Sequence, residues 1–228
     1  MLRKLTKSDL DEFVKKCKID YGVTIRDKRD SRLMRFLGKL MFFNRDFTEH
    51  YVTTIGRTIY WPNFVRDFDK DVERSFRIFF HEMQHVVDYS SMRYSFCLSY
   101  LFPQLQGLVL FVLSLVMAAI FKVPSPYWTL SFFWLLLLLP MPSYPRMMLE
   151  MSGYSCDMAF KIWYENDFKA RDYNLIVKQF TGSHYYFMWP FREAVLQRLA
   201  NIDRNVRSGN VTGFKKKVYN YLKDRGIV

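Results

Sequence analysis

Residues 79–87 have the sequence FFHEMQHVV, and apolar side chains recur around this stretch at helical intervals. The apolar positions are Phe68, Val72, Phe76, Phe79, Phe80, Met83, Val86 and Val87. Steps of three and four residues predict an amphipathic helix that is buried along most of its length. Asp67, Asp69 and Asp71 suit the first turn of that helix, where the helix dipole favours negative charge.

The motif His81-Glu82-Met83-Gln84-His85 lies inside the predicted helix. Residues four apart share one face of a helix, so both imidazoles can meet the same metal ion, and Glu82 then lies beside a metal-bound water. A solvated helix with two polar pairs is the alternative, but such a face rarely carries aromatic residues next to each histidine. The spacing therefore favours a zinc hydrolase, with His81 and His85 as ligands and Glu82 as general base.

A third protein ligand is expected, because catalytic zinc usually takes three and leaves one position for water. His184, His50 and a later acidic residue are candidates. Glu150 is favoured, since it is the one carboxylate of the apolar helical stretch 146–154 and a charge in such surroundings needs a partner. An ion pair with Arg146, four residues earlier on the same helical face, is the alternative.

The middle of the chain is almost uncharged, although the formal net charge is +12. Lys122 is the sole charged residue of the range 94–145, whereas residues 1–93 carry a net charge of +5 and residues 146–228 one of +6. Two apolar segments, Leu105–Phe121 and Tyr127–Leu139, are separated by a turn signal at 122–126 with two prolines. The pattern predicts a hydrophobic helical hairpin that enters or spans a membrane, or else is buried in a soluble protein or in an oligomer.

The remaining patterns predict an α+β fold that is mainly α. Helices are expected from Ser8 to about Lys18, from Asp30 or Ser31 to Phe43, over Met147–Tyr164, over about 190–203 and over 212–224. Residues 51–61 are rich in β-branched and aromatic types around Gly56-Arg57, which predicts a β-hairpin. Residues 1–93 and 146–228 are expected to form one catalytic domain, and 94–145 the inserted hairpin.

An HExxH motif, a long apolar insertion and a glutamate helix together resemble the gluzincin metallopeptidases, particularly the membrane-embedded CAAX-prenyl-protease and HtpX type. The resemblance covers about residues 48–165 and implies a helical zincin core. It also implies zinc held by His81, His85 and Glu150, with a strand including Thr53, Thr54 and Ile55 binding substrate backbone. The family often has an acid four residues after the third ligand; that position is Tyr154 here, so Asp157 and Arg146 are the candidates for supporting the ligands. The size and aromatic C-terminal stretch are also similar to small phage-type predicted metallopeptidases.

These features predict a zinc metallopeptidase that hydrolyses peptide or protein substrates at a membrane surface. His184, Tyr185 and Tyr186 are candidate stabilisers of the oxyanion, with a structural role as the alternative. A membrane-associated binding or assembly protein with a structural or vestigial metal site is the alternative function. The positive net charge is the one sequence feature that favours nucleic-acid binding. The basic flanks of the hairpin predict that the soluble parts lie on the cytoplasmic side of the membrane. The three cysteines follow no disulfide pattern, which predicts free thiols.

Overall fold

The computed structural model describes residues 3–40, 47–49, 51–102, 104–138, 141–182 and 187–228. It is mainly helical with one small mixed sheet, which confirms the α+β, mainly α fold class. The chain divides into two compact units. The first contains residues 1–93, 152–168 and 201–228, and the second contains residues 94–151 and 169–200.

The first unit begins with helix α1 (Lys7–Tyr21), which Thr6 caps. Thr6 and Asp9 form a reciprocal capping box, in which the Thr6 amide donates to the Asp9 carboxylate at 2.8 Å. Ser8 was the residue predicted to open this helix, and that prediction was wrong, because the capping residue lies two positions earlier. Thr6 is preferred because the capping box satisfies two unpaired amides at once. Helix α2 (Arg32–Leu40) follows, and the Met34 amide donates to the Ser31 hydroxyl at its start.

A three-stranded sheet lies in the same unit. Strands β2 (Thr53–Ile55) and β3 (Thr58–Trp61) form the predicted antiparallel hairpin, and β1 (Thr24–Asp27) pairs in parallel with β3. The strand order β1-β3-β2 leaves β2 at an edge. Periodicity could not reveal β1, because its four residues TIRD give no alternation of apolar and polar types.

Lys28, just after β1, is fully buried and anchors the segment that precedes β2. Its ammonium group donates to the carbonyls of Phe47 and Tyr51 and to the Thr53 hydroxyl, at 2.6, 2.8 and 2.7 Å. Burial lowers the pKa of Lys28 to about 8. These three acceptors provide the partners that a buried ammonium group needs.

The single helix that was expected to contain Phe68 and the HExxH motif is divided into two helices. Helix α3 (Phe64–Lys70) and helix α4 (Val72–Met92) are separated by Asp71, which is the C-cap of α3 and the N-cap of α4. The Asp71 side chain accepts a hydrogen bond from the Arg74 amide at 2.9 Å, which starts a new helix. Asp67 and Asp69 therefore lie in α3, and the expectation that they form the first turn of the motif helix was wrong.

Aromatic rings from four helices fill the core of the first unit. Phe13 of α1 stacks on Phe76 of α4, with centroids 5.0 Å apart, and Phe76 stacks on Phe160 at 5.2 Å. Phe160 belongs to helix α7 (Tyr144–Tyr164), and Phe214 of helix α10 (Gly213–Asp224) packs edge-on against Phe80 at 5.6 Å. The buried apolar face predicted for α4 is the face on which these rings meet.

The second unit contains helices α5 (Tyr94–Tyr100) and α6 (Gln104–Ile120), followed by a 3-10 helix (Ser125–Leu138). Helix α6 and the 3-10 helix correspond to the first and second arms of the predicted hydrophobic hairpin. At about 1.5 Å per residue for α6 and about 2.0 Å for the 3-10 helix, both arms are about 25 to 28 Å long. They approach closely at Gly107, where a Cβ atom would lie 2.6 Å from the Cβ of Leu137.

The outer faces of the hairpin are apolar and exposed. In α6 they include Leu108, Val109, Val112, Leu113, Val116 and Ile120, and in the 3-10 helix Leu130, Phe132, Phe133 and Leu136. Among the described residues, none of the helices alone has both the length and the apolarity needed to cross a membrane. Helices α5 and α6, bent by 86° at their junction, pass that test only as a pair.

The rest of the second unit consists of the first residues of α7, up to Met151, with helix α8 (Ala170–Thr181) and most of helix α9 (Arg192–Arg207). The Ser143 amide donates to the Met188 carbonyl at 2.9 Å, and the Trp189 amide donates to the Phe180 carbonyl at 3.0 Å. Helix α7 is continuous across the division between the two units. Its residues up to Met151 belong to the second unit, and its residues from Ser152 onward belong to the first unit.

The three cysteines are free thiols. Cys17 and Cys156 are buried, whereas Cys97 is exposed on α5. Burial raises the pKa of the Cys17 thiol to about 12 and also raises that of the Cys156 thiol.

The aromatic core predicts a large cost for Phe76→Ala. Phe76 is fully buried between Phe13 and Phe160, so truncation leaves a cavity and we expect the free energy of unfolding to fall by about 3 to 5 kcal/mol. Denaturant titration monitored by circular dichroism measures this. Ile19→Ala, on a side chain that is 75% exposed, is the control and is expected to change stability by less than about 0.5 kcal/mol. Equal losses in the two variants would contradict this account of the core.

Candidate metal centre

Helix α4 places the three residues that define the HExxH motif in apolar surroundings. His81, Glu82 and His85 are 8%, 9% and 7% exposed, between Phe80, Met83 and Val86, which are fully buried. The rings of His81 and His85 lie with centroids 5.0 Å apart, as expected for residues one helical turn apart on the same face. The motif therefore lies on the buried side of the helix.

Glu150 of α7 joins the two histidines. One ligand atom from each of His81, His85 and Glu150 lies within 4.8 Å of the others, and Glu150 is 4% exposed. Zinc ligands about 2.1 Å from a tetrahedral ion lie about 3.4 Å apart, so separations of at most 4.8 Å are of the order expected for three ligands of one ion. Two imidazoles and one carboxylate are a donor set for zinc or another transition metal. The buried group could therefore hold a metal ion, as the sequence predicted.

Asp157 supports His81 from α7. Its Oδ2 lies 3.1 Å from His81 Nδ1. In the neutral imidazole this bond places the proton on Nδ1, so Nε2 keeps the lone pair with which it can bind a metal. Glu150 and Asp157 are seven residues apart, or about two turns, and thus share one face of α7. The absence of an acid at Tyr154 is offset by this carboxylate one turn further along.

Gly153 lets α7 approach His81 closely. A Cβ atom at this position would lie 2.5 Å from His81 Nε2, so any larger residue would collide with the imidazole. The neighbouring Tyr154 packs edge-on against the same ring, with centroids 5.0 Å apart. The imidazole is therefore held by Asp157 through a hydrogen bond and by two further residues of α7 through contact.

A second pair of side chains joins α4 and α7. The Cys156 thiol donates to Gln84 Oε1 at 3.5 Å, and Gln84 Nε2 donates to Asp88 Oδ1 at 2.8 Å. Gln84 and Cys156 are both buried, so each supplies the polar partner that the other needs.

Glu82 is oriented by the edge strand of the sheet. The Thr54 hydroxyl donates to Glu82 Oε2 at 2.6 Å. Thr53, Thr54 and Ile55, which the sequence analysis assigned to a substrate strand, form β2, with Ile55 exposed and Thr53 bound to Lys28. The strand thus places a hydroxyl on the carboxylate that was predicted to act as general base.

Arg146 lies on α7, four residues before Glu150, and bonds to Tyr100 and Gln104. Its Nε donates to the Tyr100 carbonyl at 3.1 Å, and its Nη2 donates to Gln104 Oε1 at 3.0 Å. The hydroxyl of Tyr100 in turn donates to Glu150 Oε1 at 2.8 Å. Arg146 is therefore connected to Glu150 through Tyr100, a residue that the sequence analysis did not consider.

Four other candidates of the sequence analysis lie outside the described residues: His50, His184, Tyr185 and Tyr186. Their predicted roles stay predictions. Of the residues that sequence reasoning missed, Gly153 carried a usable signal, because glycine inside a helix often marks a close approach. Tyr100 carried none, since it is 50 residues from Glu150 and looks like one more aromatic residue before the apolar hairpin.

Comparison of the chain with protein-family models, with curated proteins and with solved structures gave no match.

The close approach at Gly153 predicts that Gly153→Ala weakens metal binding. The added methyl group must displace His81, so we expect the affinity for Zn²⁺ to fall more than about 10-fold. Elemental mass spectrometry of the purified protein, with a chelator titration, measures this. Ser152→Ala, one residue earlier on α7, is the matched control and should bind as the wild type does. A folded Gly153→Ala protein with unchanged affinity would show that the contact does not constrain the site.

Proposed function

We propose that this protein is a zinc-dependent peptidase that works at a membrane surface. The observation that carries the proposal is the buried Glu82 carboxylate beside the His81, His85 and Glu150 cluster, held in place by Thr54. A purely structural metal site needs ligands but no additional carboxylate at its side. Burying that carboxylate is costly, so its presence favours a chemical role.

A few residues of the chain have distinct roles in the proposed hydrolysis. Zinc, when bound, would supply a Lewis acid for the water and the substrate carbonyl. Glu82 accepts the proton of the attacking water and later delivers it to the leaving amine. Thr54 keeps the Glu82 carboxylate in one orientation, while Asp157 keeps the His81 imidazole in the tautomer that leaves Nε2 for the metal.

The edge position of β2 suits it to bind an extended peptide. Strand β2 pairs with β3 on one side, and an edge strand offers its other side to an added strand. Thr54 of that strand bonds to Glu82, so a peptide paired along β2 would pass beside the proposed general base. This arrangement favours unfolded or extended protein segments as substrates.

The apolar hairpin supports the membrane part of the proposal. Exposed apolar side chains cover about 200° of the circumference of α6 at 100° per residue. On the 3-10 helix, Leu130, Phe133 and Leu136 follow one another at three-residue steps along an exposed face. A protein partner usually covers one face, whereas lipid surrounds an element, so this distribution favours acyl chains. The basic sequence on both sides of the hairpin favours anionic headgroups.

The proposed mechanism predicts that Glu82→Gln keeps its metal and loses activity. Without the proton-accepting carboxylate, we expect the hydrolysis rate of a quenched-fluorescent peptide library to fall by about 10² to 10⁴-fold. Glu165→Gln makes the same chemical change at an exposed carboxylate and should leave the rate unchanged. Full activity in the Glu82→Gln protein with zinc bound would overturn the mechanism, and inactivity of the zinc-loaded wild type would instead favour a structural metal site.

The hairpin predicts binding to anionic lipid vesicles. Leu113→Asp and Phe133→Asp place charge on exposed faces of its two arms, and we expect each to reduce partition onto phosphatidylglycerol-containing vesicles at least about 10-fold. Co-flotation of the purified protein with vesicles measures the partition. Ile19→Asp, on the exposed face of α1, is the control. Partition that is equal for all four proteins, or absent in the wild type, would contradict the proposed lipid contact.

A further inference from the structure

Tyr100 connects the base of the apolar hairpin to the candidate metal ligand. It is the last residue of α5, and its hydroxyl donates to Glu150 Oε1 at 2.8 Å. Arg146, four residues before Glu150 on α7, donates to the Tyr100 carbonyl at 3.1 Å and to Gln104 at the start of α6 at 3.0 Å. Arg146 thus bridges the bend between α5 and α6 and fixes the backbone from which Tyr100 projects.

The ring of Tyr100 is held independently of its hydroxyl. It stacks on Phe96, with centroids 6.0 Å apart, and the Arg146 guanidinium lies over it, 5.5 Å from the ring centroid. These contacts limit the rotation of the ring, because a stacked neighbour and a cation each favour one ring orientation. The hydroxyl is therefore directed at Glu150 by the packing of the ring rather than by its own bond alone.

A neutral donor suits a buried metal-binding carboxylate. Glu150 has two carboxylate oxygens, so a hydrogen bond from Tyr100 to Oε1 is compatible with metal binding by the carboxylate. A hydrogen bond to a ligand fixes its orientation before the ion arrives, which reduces the ordering that binding requires. A positive group in the same place would compete with the metal for the carboxylate charge.

We propose that Tyr100 is the positioning residue for Glu150, and that Arg146 acts on Glu150 by holding Tyr100. The proposal rests on the metal centre of the proposed function, but it concerns metal affinity and needs no substrate. It assigns to α5 the orienting role for Glu150 that Asp157 has for His81.

Tyr100→Phe tests the proposal, because it removes the hydroxyl and keeps the ring contacts. We expect its affinity for Zn²⁺, measured by competition with a chromogenic chelator, to be about 10 to 100-fold lower than that of the wild type. Tyr94→Phe, on the same helix with a side chain that is 84% exposed, is the matched control and should bind as the wild type does. Arg146→Met should lower the affinity in the same direction.

A double-mutant cycle separates positioning from general support of the fold. If Tyr100 acts through Glu150, adding Tyr100→Phe to Glu150→Ala should change the remaining affinity less than about 2-fold. An equal loss in both backgrounds would show that Tyr100 stabilises the structure only, and would overturn the proposal. Unchanged affinity of Tyr100→Phe in a zinc-binding wild type would overturn it while leaving the metal centre intact. A wild type that binds no zinc would overturn both.

Discussion

The contact between α4 and α7 at His81 is the constraint on which the candidate site depends. Gly153 brings the backbone of α7 so near the imidazole that no side chain fits between them, and Asp157 bonds to Nδ1 of the same ring. The pair Gln84 and Cys156 holds the same two helices together a short distance away. Residues 153–157 and Glu150 belong to the same continuous helix, α7.

Several buried polar groups among the described residues have hydrogen-bond partners that explain parts of the fold that look irregular. Lys28 bonds to two carbonyls of the segment before β2 and to the hydroxyl of Thr53, the first residue of that strand. The next residue of the strand, Thr54, bonds to Glu82. Tyr100 lies at a bend between two helices and bonds to Glu150. Low dielectric surroundings strengthen each of these bonds and raise the cost of losing any one of them. These polar contacts therefore constrain the fold in addition to the aromatic core.

The sequence predicted the helical class, the β-hairpin and the His81, His85 and Glu150 cluster because each has a local pattern. HExxH spacing and apolar periodicity are visible within two helical turns, and a lone carboxylate in an apolar stretch needs a partner wherever it lies. It could not predict the break at Asp71, since a capping aspartate and a first-turn aspartate have the same residue type. It could not predict β1, whose pairing with β3 is long-range, or Tyr100, whose role arises only from tertiary contact. The roles proposed for His184, Tyr185 and Tyr186 stay predictions, because these residues lie outside the described part of the chain.

The three free cysteines allow local opening of the structure to be followed by thiol labelling. Only thiolates react readily with alkylating reagents, and burial keeps the pKa values of Cys17 and Cys156 far above neutrality. Cys97, exposed on the helix that carries Tyr100, is accessible in the folded protein. Labelling of Cys97 therefore attaches a reporter beside the hairpin without loss of structure. Cys156 is buried and its thiol bonds to Gln84 of α4, so labelling of Cys156 requires the structure around it to open, and the modification rate of this thiol measures that opening.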